Sequence, residues 1–169
     1  MKKVIIFLFV ITIIFLLKEN SNNKVLIPDN SIRFRIIAAS NDLKDQEQKQ
    51  DIKQDIEPII KDVIKYSSNI EESRKKIKES IPLISSKIDK YNLNYDINYG
   101  YNYFPKKEYN NVEYKSGEYE SLVIKLGEGL GDNWWCVLFP PLCLLESNYE
   151  DQKDTNYTFF IKEIIDKYN

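Results

Sequence analysis

The chain has 169 residues, with 24 basic and 26 acidic side chains and a formal net charge of −2. It contains no histidine and only two cysteines, which excludes imidazole catalysis, histidine-ligated zinc and a four-thiolate cluster within one chain. Because the opposite charges are interspersed, there is no basic stripe for nucleic acid. The length indicates one domain. We expect no cofactor, no metal, no small-molecule substrate and no nucleic-acid partner.

The N-terminus has the pattern of an export signal. Two lysines precede an uninterrupted apolar run, residues 4–17. As a helix this run would span about 21 Å, which is less than the roughly 30 Å hydrocarbon core of a bilayer. Residues 1–24 are predicted to be a cleaved signal peptide or a short signal anchor plus linker, with membrane contact through residues 4–17. Residues 25–169 would form the exported domain. A buried core helix is the alternative.

The first elements of this domain are a strand and a helix. Residues 32–39 alternate and then become apolar, which predicts a strand that enters a covered sheet. Residues 40–42, Ser-Asn-Asp, provide N-cap residues for a helix. Apolar residues recur at helical spacing from Ile52 to Ile64. Pro58 lies within this pattern and should kink or restart the helix.

A second helix and a clear strand follow. The helix is predicted to begin after Asn69, which stands in capping-box relation to Glu72. Pro82 predicts a break in it. Tyr91–Phe104 alternates apolar or aromatic residues with polar ones. This pattern predicts a strand with one packed face and one solvated face.

The remaining pattern completes the fold class. Tyr119–Leu126 is predicted to be a strand, Ser147–Asn156 a solvated linker, and residues 160–168 an amphipathic C-terminal helix. The order of elements indicates an α+β domain. We expect a single domain with a mainly antiparallel sheet and about three helices, preceded by the N-terminal export signal or anchor.

Three of the five glycines lie in Gly127–Asn133. This loop superficially resembles a phosphate-binding loop, but it precedes an aromatic segment instead of a helix and lacks a Lys-Ser/Thr pair. A tight turn with positive φ angles is the better interpretation. Glu128 and Asp132 are the candidates for carboxylate chemistry, the alternative function being an exported cell-wall hydrolase or a binding module. Solvation in the loop accounts better for both acids.

The segment Asn133–Cys143 has no charged residue and contains both tryptophans, both cysteines and a proline pair. Burial in the core is one interpretation. Tryptophan is frequent at interfaces and a proline pair cannot continue a central strand, so a docking surface for a protein or a membrane is the other. A membrane-surface module that inserts Trp134, Trp135 and Phe139 is a further hypothesis. The candidate partner-binding residues are Asn133, Trp134, Trp135, Phe139, Pro140 and Pro141.

The two cysteines of this segment have three possible states. Cys136 and Cys143 can form a disulfide if the chain reverses at residues 139–141, and export would permit this bond. They can also be two buried thiols. A catalytic thiol is disfavoured because the chain has no imidazole and the segment has no cation to activate it.

Three stretches of the chain form a distinctive set. They are Ile32–Asn41 with Asp45, Gln46 and Lys49; Tyr114–Leu122; and Gly129–Cys143. Together they resemble the stage II sporulation protein R family of endospore-forming bacteria. The resemblance covers roughly residues 27–146. It departs from the family at Ala39, where Asn is frequent, at Ser116, where Ala is frequent, and at Glu146, which is the first acidic residue after the second cysteine.

The resemblance implies a signalling protein without catalysis of its own. Members of this family are made in the forespore and exported into the space between the forespore and mother-cell membranes. There they activate a membrane-embedded aspartic protease of the mother cell, which removes the pro-sequence of the mother-cell sigma factor. From the resemblance we expect an exported protease activator, anchored in the membrane if its signal is not cleaved, with that protease as its partner.

Overall fold

The structure, a computed structural model, describes residues 24–109, 112–143 and 154–168, with the backbone alone for residues 109 and 154–158. Seven strands, three helices and a short 3₁₀ turn (Asp89–Tyr91) make up this part of the chain. The strands and helices are β1 (Val25–Leu26), β2 (Ile32–Ile37), α1 (Leu43–Lys65), α2 (Ile70–Ile88), β3 (Tyr95–Phe104), β4 (Lys107–Tyr109), β5 (Val112–Tyr114), β6 (Gly117–Leu126), β7 (Asn133–Phe139) and α3 (Asp154–Tyr168).

The main sheet has four strands in the order β3-β6-β2-β7. The central pair, β2 and β6, is parallel, whereas β3 pairs with β6 and β7 pairs with β2 in the antiparallel sense. A second sheet has the order β1-β5-β4, with one parallel and one antiparallel pairing. The predicted α+β class with mainly antiparallel pairing and about three helices is confirmed. The second sheet was not predicted.

One face of the main sheet packs against α1 and α2. Ile32, Phe34 and Ile36 of β2 alternate with polar positions and therefore point to the same side. They form a single buried cluster with residues of β6 and β7 and with the isoleucines that recur at helical spacing on α1 and α2. Each of these side chains contributes about 1.5–3 kcal/mol on full burial. This cluster is the main core.

The two helices are continuous through their prolines, so the break predicted at Pro82 is wrong and α1 does not restart at Pro58. Pro58 lies inside α1 and Pro82 lies inside α2. Both proline rings are on the exposed side of their helix. Each proline removes one backbone hydrogen bond, but buried isoleucines on either side of it, such as Ile56 and Ile60 in α1, fix both halves of the helix to the sheet.

The predicted helix starts are confirmed. The Asn69 side chain accepts a 2.9 Å hydrogen bond from the Glu72 backbone N–H. Glu72 in turn accepts from the backbone N–H of Ser68, one residue before the expected partner. At α1 the N-cap is Asp42, and the Ser40 hydroxyl accepts from its backbone N–H. At α2 the Asn69 side chain therefore satisfies a first-turn backbone donor, whereas at α1 Asp42 forms no side-chain cap and Ser40 satisfies the N–H of Asp42 itself.

Strand β3 shows the predicted alternation over only part of its length. It begins at Tyr95, because Tyr91 belongs to the 3₁₀ turn and Asn92 adopts a left-handed conformation with φ 50°. Residues 95–99 alternate between half-buried and exposed positions. Tyr101 and Tyr103 point to the same side as the earlier tyrosines but are 73% and 62% exposed. The helices do not cover this end of the strand.

The opposite face of the main sheet is covered by β1, β5 and α3. Ile27, Val112 and Val137 form a second buried cluster with Ile161 and Ile165 of α3. The amphipathic pattern predicted for residues 160–168 is confirmed at Ile161 and Ile165, which are buried, whereas Phe160, expected on the apolar face, lies at the surface. The domain therefore has three layers, with the main sheet in the middle.

Two sequence expectations fall outside the described residues. They are the export signal or anchor, including the membrane contact of residues 4–17, and most of the linker predicted between residues 147 and 156. The linker prediction is wrong for residues 154–156, which belong to α3. Within the part of the chain that the structure describes, no helix has the length and apolar character needed to span a bilayer.

Candidate functional site

The uncharged segment Asn133–Cys143 forms strand β7 and the turn after it. Strand β7 pairs with β2, so that Trp134 lies opposite Ile36 and Trp135 opposite Arg35. Consecutive residues of a strand point to opposite faces. The two tryptophans therefore lie on different sides of the sheet, and they do not form one aromatic patch.

Trp134 faces the helix side. Its ring meets the Phe34 ring edge to face, with centroids 5.4 Å apart. The Lys53 ammonium of α1 lies 4.7 Å from the Trp134 ring. The residue is half-buried, so part of its surface belongs to the core and part stays accessible beside α1.

Trp135 faces the other layer and is also half-buried. Its ring lies between the guanidinium of Arg35, 5.2 Å away, and the ammonium of Lys107, 4.7 Å away. The Phe104 ring packs against it at 5.2 Å. The indole N–H of Trp135 is buried without a hydrogen-bond partner in the structure. This side of the segment is a stack of aromatic rings and cations.

Arg33 and Arg35 are the residues of this stack that the sequence did not reveal. Arg33 is only 2% exposed, and its guanidinium lies 3.3 Å from the Tyr119 ring centroid and 5.4 Å from that of Phe104. Burial lowers the pKa of both arginines. Neither forms an ion pair with a described residue. Aromatic faces, rather than carboxylates, surround these two charges.

The end of the segment is buried and cross-linked. Cys136 and Cys143 form a disulfide with a Cα–Cα distance of 5.4 Å, and the chain reverses between them. The Leu142 backbone N–H donates to the Val137 carbonyl at 3.2 Å and closes this reversal, which contains a cis bond before Pro140. Among the candidate partner-binding residues, Phe139 and Pro140 are buried. Phe139 packs against Tyr168 of α3.

The glycine loop does not connect neighbouring strands. It crosses the end of β2, because β2 lies between β6 and β7 in the sheet. Gly127 and Gly129 have φ angles of 52° and 66°, so the predicted positive-φ turn is confirmed. A Cβ atom on Gly131 would stand 2.2 Å from the Ser40 carbonyl oxygen. Only glycine permits such a close crossing of two backbones.

Hydrogen bonds join this loop to the beginning of α1. The backbone N–H groups of Leu130 and Gly131 donate to the Ala39 and Ala38 carbonyls. The Asn41 side chain accepts a 2.7 Å hydrogen bond from the Asp132 backbone N–H.

Lys49 completes the junction from inside α1. It is 5% exposed, and its ammonium donates to the Asp132 carbonyl at 2.9 Å and to the Gln46 side chain at 2.7 Å. Burial lowers the pKa of Lys49. Gln46 also donates to the Ser40 carbonyl. The charged and amide residues of the first turns of α1 therefore have a structural role.

The two carboxylates of the glycine loop are solvated and do not line a buried cleft. Glu128 and Asp132 are both exposed, and Asp132 contributes backbone groups to the junction. Among residues 24–109, 112–143 and 154–168, no group of three or more Cys, Asp or Glu side chains could hold a metal ion. These observations give no support to the alternative of a carboxylate hydrolase.

One ion-pair network lies at the uncovered end of the helix face. Arg74 of α2 donates to both carboxylate oxygens of Glu120, at 2.8–3.1 Å, and also pairs with Glu71. The Tyr99 hydroxyl donates to Glu120 at 2.6 Å. Burial alone would raise the pKa of Glu120, but the hydrogen bonds from Arg74 and Tyr99 hold it below the ordinary value. Burial raises the pKa of Tyr99. The network ties α2 to β3 and β6.

The family model described as stage II sporulation protein R matches residues 28–149. The chain belongs to the stage II sporulation protein R family. It is 38% identical over 144 residues to stage II sporulation protein R of Bacillus subtilis (strain 168), an alignment that covers 81% of this chain and 64% of that relative. No solved structure matches the chain. The resemblance drawn from the sequence is thereby confirmed.

Stretches of the chain that resemble the family meet at the junction between the glycine loop and the start of α1. Two of the three stretches that resemble the stage II sporulation protein R family, residues 32–49 and 129–143, meet there through the hydrogen bonds of Asn41, Lys49 and Asp132. The fold therefore brings two stretches that are distant in the sequence into one local structure.

Proposed function

We propose that this chain is an exported sporulation signalling protein. It is made in the forespore, acts in the space between the forespore and mother-cell membranes, and activates the mother-cell membrane aspartic protease that processes the mother-cell sigma-factor precursor. The observation that supports this function best is membership of the stage II sporulation protein R family across residues 28–149. The absence of histidine and the solvated loop acids agree with a messenger rather than a catalyst.

The partner contact is proposed to lie at the junction of the glycine loop and α1. Leu130 is 80% exposed and Leu43 is 76% exposed, which makes them the two most exposed large apolar residues of the described chain. They belong to the two segments that the junction joins. Together with the half-buried Asn133, at the start of β7, they form what we call the junction surface. Exposed apolar side chains on a rigid support are typical of protein-binding surfaces.

The proposed contact differs in part from the set suggested by the sequence. Phe139 and Pro140 are buried, and Trp134 packs on the core residue Phe34. Alanine at any of these positions would disturb folding and binding together. Leu130 and Leu43 separate the two effects, because their side chains are almost fully solvated. Asn133 is still proposed as a partner-binding residue.

The test is sigma-precursor processing in sporulating cells whose own copy of the gene is replaced by a variant. Leu130→Asp and Leu43→Asp should each reduce processing by about tenfold or more, as expected for residues at the centre of an interface. An aspartate at residue 43 also suits the first turn of α1. The matched control is Leu83→Asp on α2, where the native side chain is 52% exposed. Cells that carry Leu83→Asp should process the sigma-factor precursor normally.

Two results would count against parts of this proposal. Normal processing with both junction variants would remove the junction surface as the contact, while loss of processing on deletion of the whole gene would still support the signalling function. Normal processing in the deletion strain would reject the function itself. Accumulation of each variant is followed by immunoblot, so that degradation is not mistaken for lost contact.

Export is proposed from the apolar run of residues 4–17 and needs its own test. Mass spectrometry of the protein recovered from sporulating cells distinguishes a cleaved signal peptide from an anchor, because cleavage would remove a fragment that includes these residues. Deletion of residues 4–17 should leave the protein in the forespore cytoplasm and abolish processing. Processing that persists after this deletion would contradict an extracytoplasmic site of action.

A further inference from the structure

Strand β3 is an unusually open sheet edge. It has ten residues, Tyr95–Phe104, and among the described residues it pairs only with β6. Natural proteins usually protect such an edge with lysine, proline, a bulge or a short strand. Strand β3 has no lysine or proline, pairs with β6 without a register shift, and contains one charged residue, Asp96. Its outer edge is thus suited to accept another strand.

The sequence at the centre of β3 is a palindrome. Asn98-Tyr99-Gly100-Tyr101-Asn102 is the same in both directions. If two copies of β3 pair antiparallel with Gly100 on the two-fold axis, Tyr99 lies opposite Tyr101 of the second copy. On the other face, Asn98 lies opposite Asn102 of the second copy. Aromatic cross-strand pairs such as Tyr99 with Tyr101 stabilise antiparallel strands, so the edge is complementary to itself.

The charges of the strand do not oppose this arrangement. In the same register, Asp96 lies opposite Phe104 of the second copy. Like charges placed directly opposite each other would destabilise the pair, and here none are. Ile97 lies opposite Tyr103 of the second copy, which extends the apolar contact. A symmetric interface of this type requires each patch to match itself, and all pairs from residue 96 to residue 104 meet that requirement.

Gly100 lies between Asn98 and Asn102, whose side chains hydrogen-bond to each other across it at 3.0 Å. Its φ angle is not positive, and a Cβ atom placed on it would come no closer than 3.7 Å to any neighbour, the nearest being the Asn98 side chain. Glycine weakens a strand interior, and its presence there often marks a place where another backbone approaches closely. At Gly100 that backbone would be the second copy of the same residue.

Two tyrosines of β3 have large exposed aromatic surfaces that a partner strand would cover. Tyr101 and Tyr103 are 73% and 62% exposed on the side of the sheet that α1 and α2 leave open. Aromatic side chains of this exposure are typical of protein interfaces. In the antiparallel pair, Tyr101 would stack beside Tyr99 of the second copy, and Tyr103 beside Ile97.

We propose that two copies of this chain associate through β3 in antiparallel register about Gly100, so that the two four-stranded sheets become one sheet of eight strands. The occupant of the open edge is a second copy because the palindrome and Gly100 match that partner specifically. The junction surface lies on the segments around β2 and β7, and β6 separates both strands from β3 in the sheet.

Position-specific cross-linking of the full chain in detergent micelles tests the register. Gly100→Cys places two thiols on the axis, where Cα atoms of paired strands are about 4.5–5.5 Å apart, a distance that a disulfide can span. Asp96→Cys is the matched control on the same face. Its two copies would be about 27 Å apart, since eight residues at about 3.4 Å separate them along the strands.

The proposal expects a covalent dimer for Gly100→Cys under mild oxidation and none for Asp96→Cys. A mixture of Asn98→Cys and Asn102→Cys proteins should form the mixed dimer, while each of the two variants alone should remain a monomer under denaturing conditions. Equal cross-linking of Gly100→Cys and Asp96→Cys would overturn the register. The same oxidation is applied to sporulating cells that carry Gly100→Cys. A cross-link to a different protein, with no self-cross-link, would show that the edge accepts another partner and would overturn the proposal.

A charge on the edge provides the second test. Tyr101→Lys introduces the type of residue that protects natural edges, and the native side chain is too exposed to be needed for folding. Light scattering should show the wild-type chain at twice the monomer mass, with Tyr101→Lys losing at least 90% of the dimer. Leu83→Lys, the matched exposed control, should remain dimeric. A wild-type chain that is monomeric at about 100 µM would contradict the proposal.

Discussion

The guanidinium carbon of Arg33 lies 3.3 Å from the centroid of the Tyr119 ring. Arg33 is on β2, Tyr119 is on β6, and both are almost fully buried between the main sheet and the second sheet. Two nitrogens of the guanidinium, Nε and Nη2, have no hydrogen-bond partner in the structure. The remaining nitrogen, Nη1, donates to the Lys115 backbone carbonyl at 3.4 Å. A buried charge without a counter-ion is costly, and the Tyr119 ring face adds to this hydrogen bond in compensating it.

This relationship predicts the effect of removing the ring. Tyr119→Leu should lower the free energy of unfolding by about 3 kcal/mol, because it removes a desolvated cation–π contact together with part of the packing. Tyr119→Phe keeps the aromatic face and should cost less than about 1 kcal/mol. Urea unfolding followed by tryptophan fluorescence measures both values. Equal destabilisation by the two variants would show that the hydroxyl, not the ring face, compensates the charge.

The burial of Arg33 also shows what the sequence pattern could not provide. The alternation in β2 correctly predicts a strand and correctly places Ile32, Phe34 and Ile36 on one side. It does not indicate that the side with the arginines is covered as well. The cover comes from β1 and β5, which have only two and three residues, and from α3, far along the chain. Such short strands give no periodicity that a sequence pattern could reveal.

The candidate site shows a similar division. The lack of charge and the two tryptophans mark Asn133–Cys143 in the sequence, and period-two geometry already requires Trp134 and Trp135 to point in opposite directions once the segment is a strand. The prediction of six partner-binding residues nevertheless placed both tryptophans on one surface. The junction with α1 was not predicted, because a contact between Asp132 and Lys49 depends on strand order, which local spacing does not determine.

The Arg74–Glu120 pair yields a prediction about stability. The Glu120 side chain is 15% exposed and accepts hydrogen bonds from both Arg74 and Tyr99. Glu120→Gln should therefore lower the free energy of unfolding by about 1–3 kcal/mol at neutral pH. Glu79→Gln is the matched control, because Glu79 is 61% exposed and lies 3.9 Å from Lys75. That exposed pair should contribute less than about 0.5 kcal/mol.

The same pair predicts a pH dependence. The folded-state pKa of Glu120 lies below the unfolded value of 4.5, so the folded state binds the proton less readily than the unfolded state. The stabilisation is fully present above pH 4.5 and is lost as the pH falls through the folded-state value. The difference in unfolding free energy between wild type and Glu120→Gln should therefore shrink below that pH. A difference that stays constant down to the acid transition would contradict the assigned role of the carboxylate.

Gly131 gives a steric prediction at the junction. A methyl group on this residue would collide with the backbone carbonyl of Ser40, which lies 2.2 Å from the Cβ position. Gly131→Ala should force the loop away from β2 and cost about 2–3 kcal/mol. Leu130→Ala, at the neighbouring exposed position, should change stability by less than about 0.5 kcal/mol. Thermal unfolding compares the two, and a stable Gly131→Ala protein would mean that the loop can move without loss.

The disulfide between Cys136 and Cys143 predicts a dependence on redox conditions. Cross-linking residues separated by seven positions restricts a short loop of the unfolded chain, and the chain-entropy estimate for such a loop is about 2–3 kcal/mol. Reductant should therefore lower the free energy of unfolding of the wild type by about this amount. The Cys136→Ala/Cys143→Ala double variant should start at the lower stability and show no response to reductant. Because both cysteines are buried and joined in a disulfide, their thiols should react with a labelling reagent only when the protein is both reduced and unfolded. A wild type that loses no stability in reductant, with both thiols then labelled in the unfolded state, would show that the bond contributes nothing to the fold.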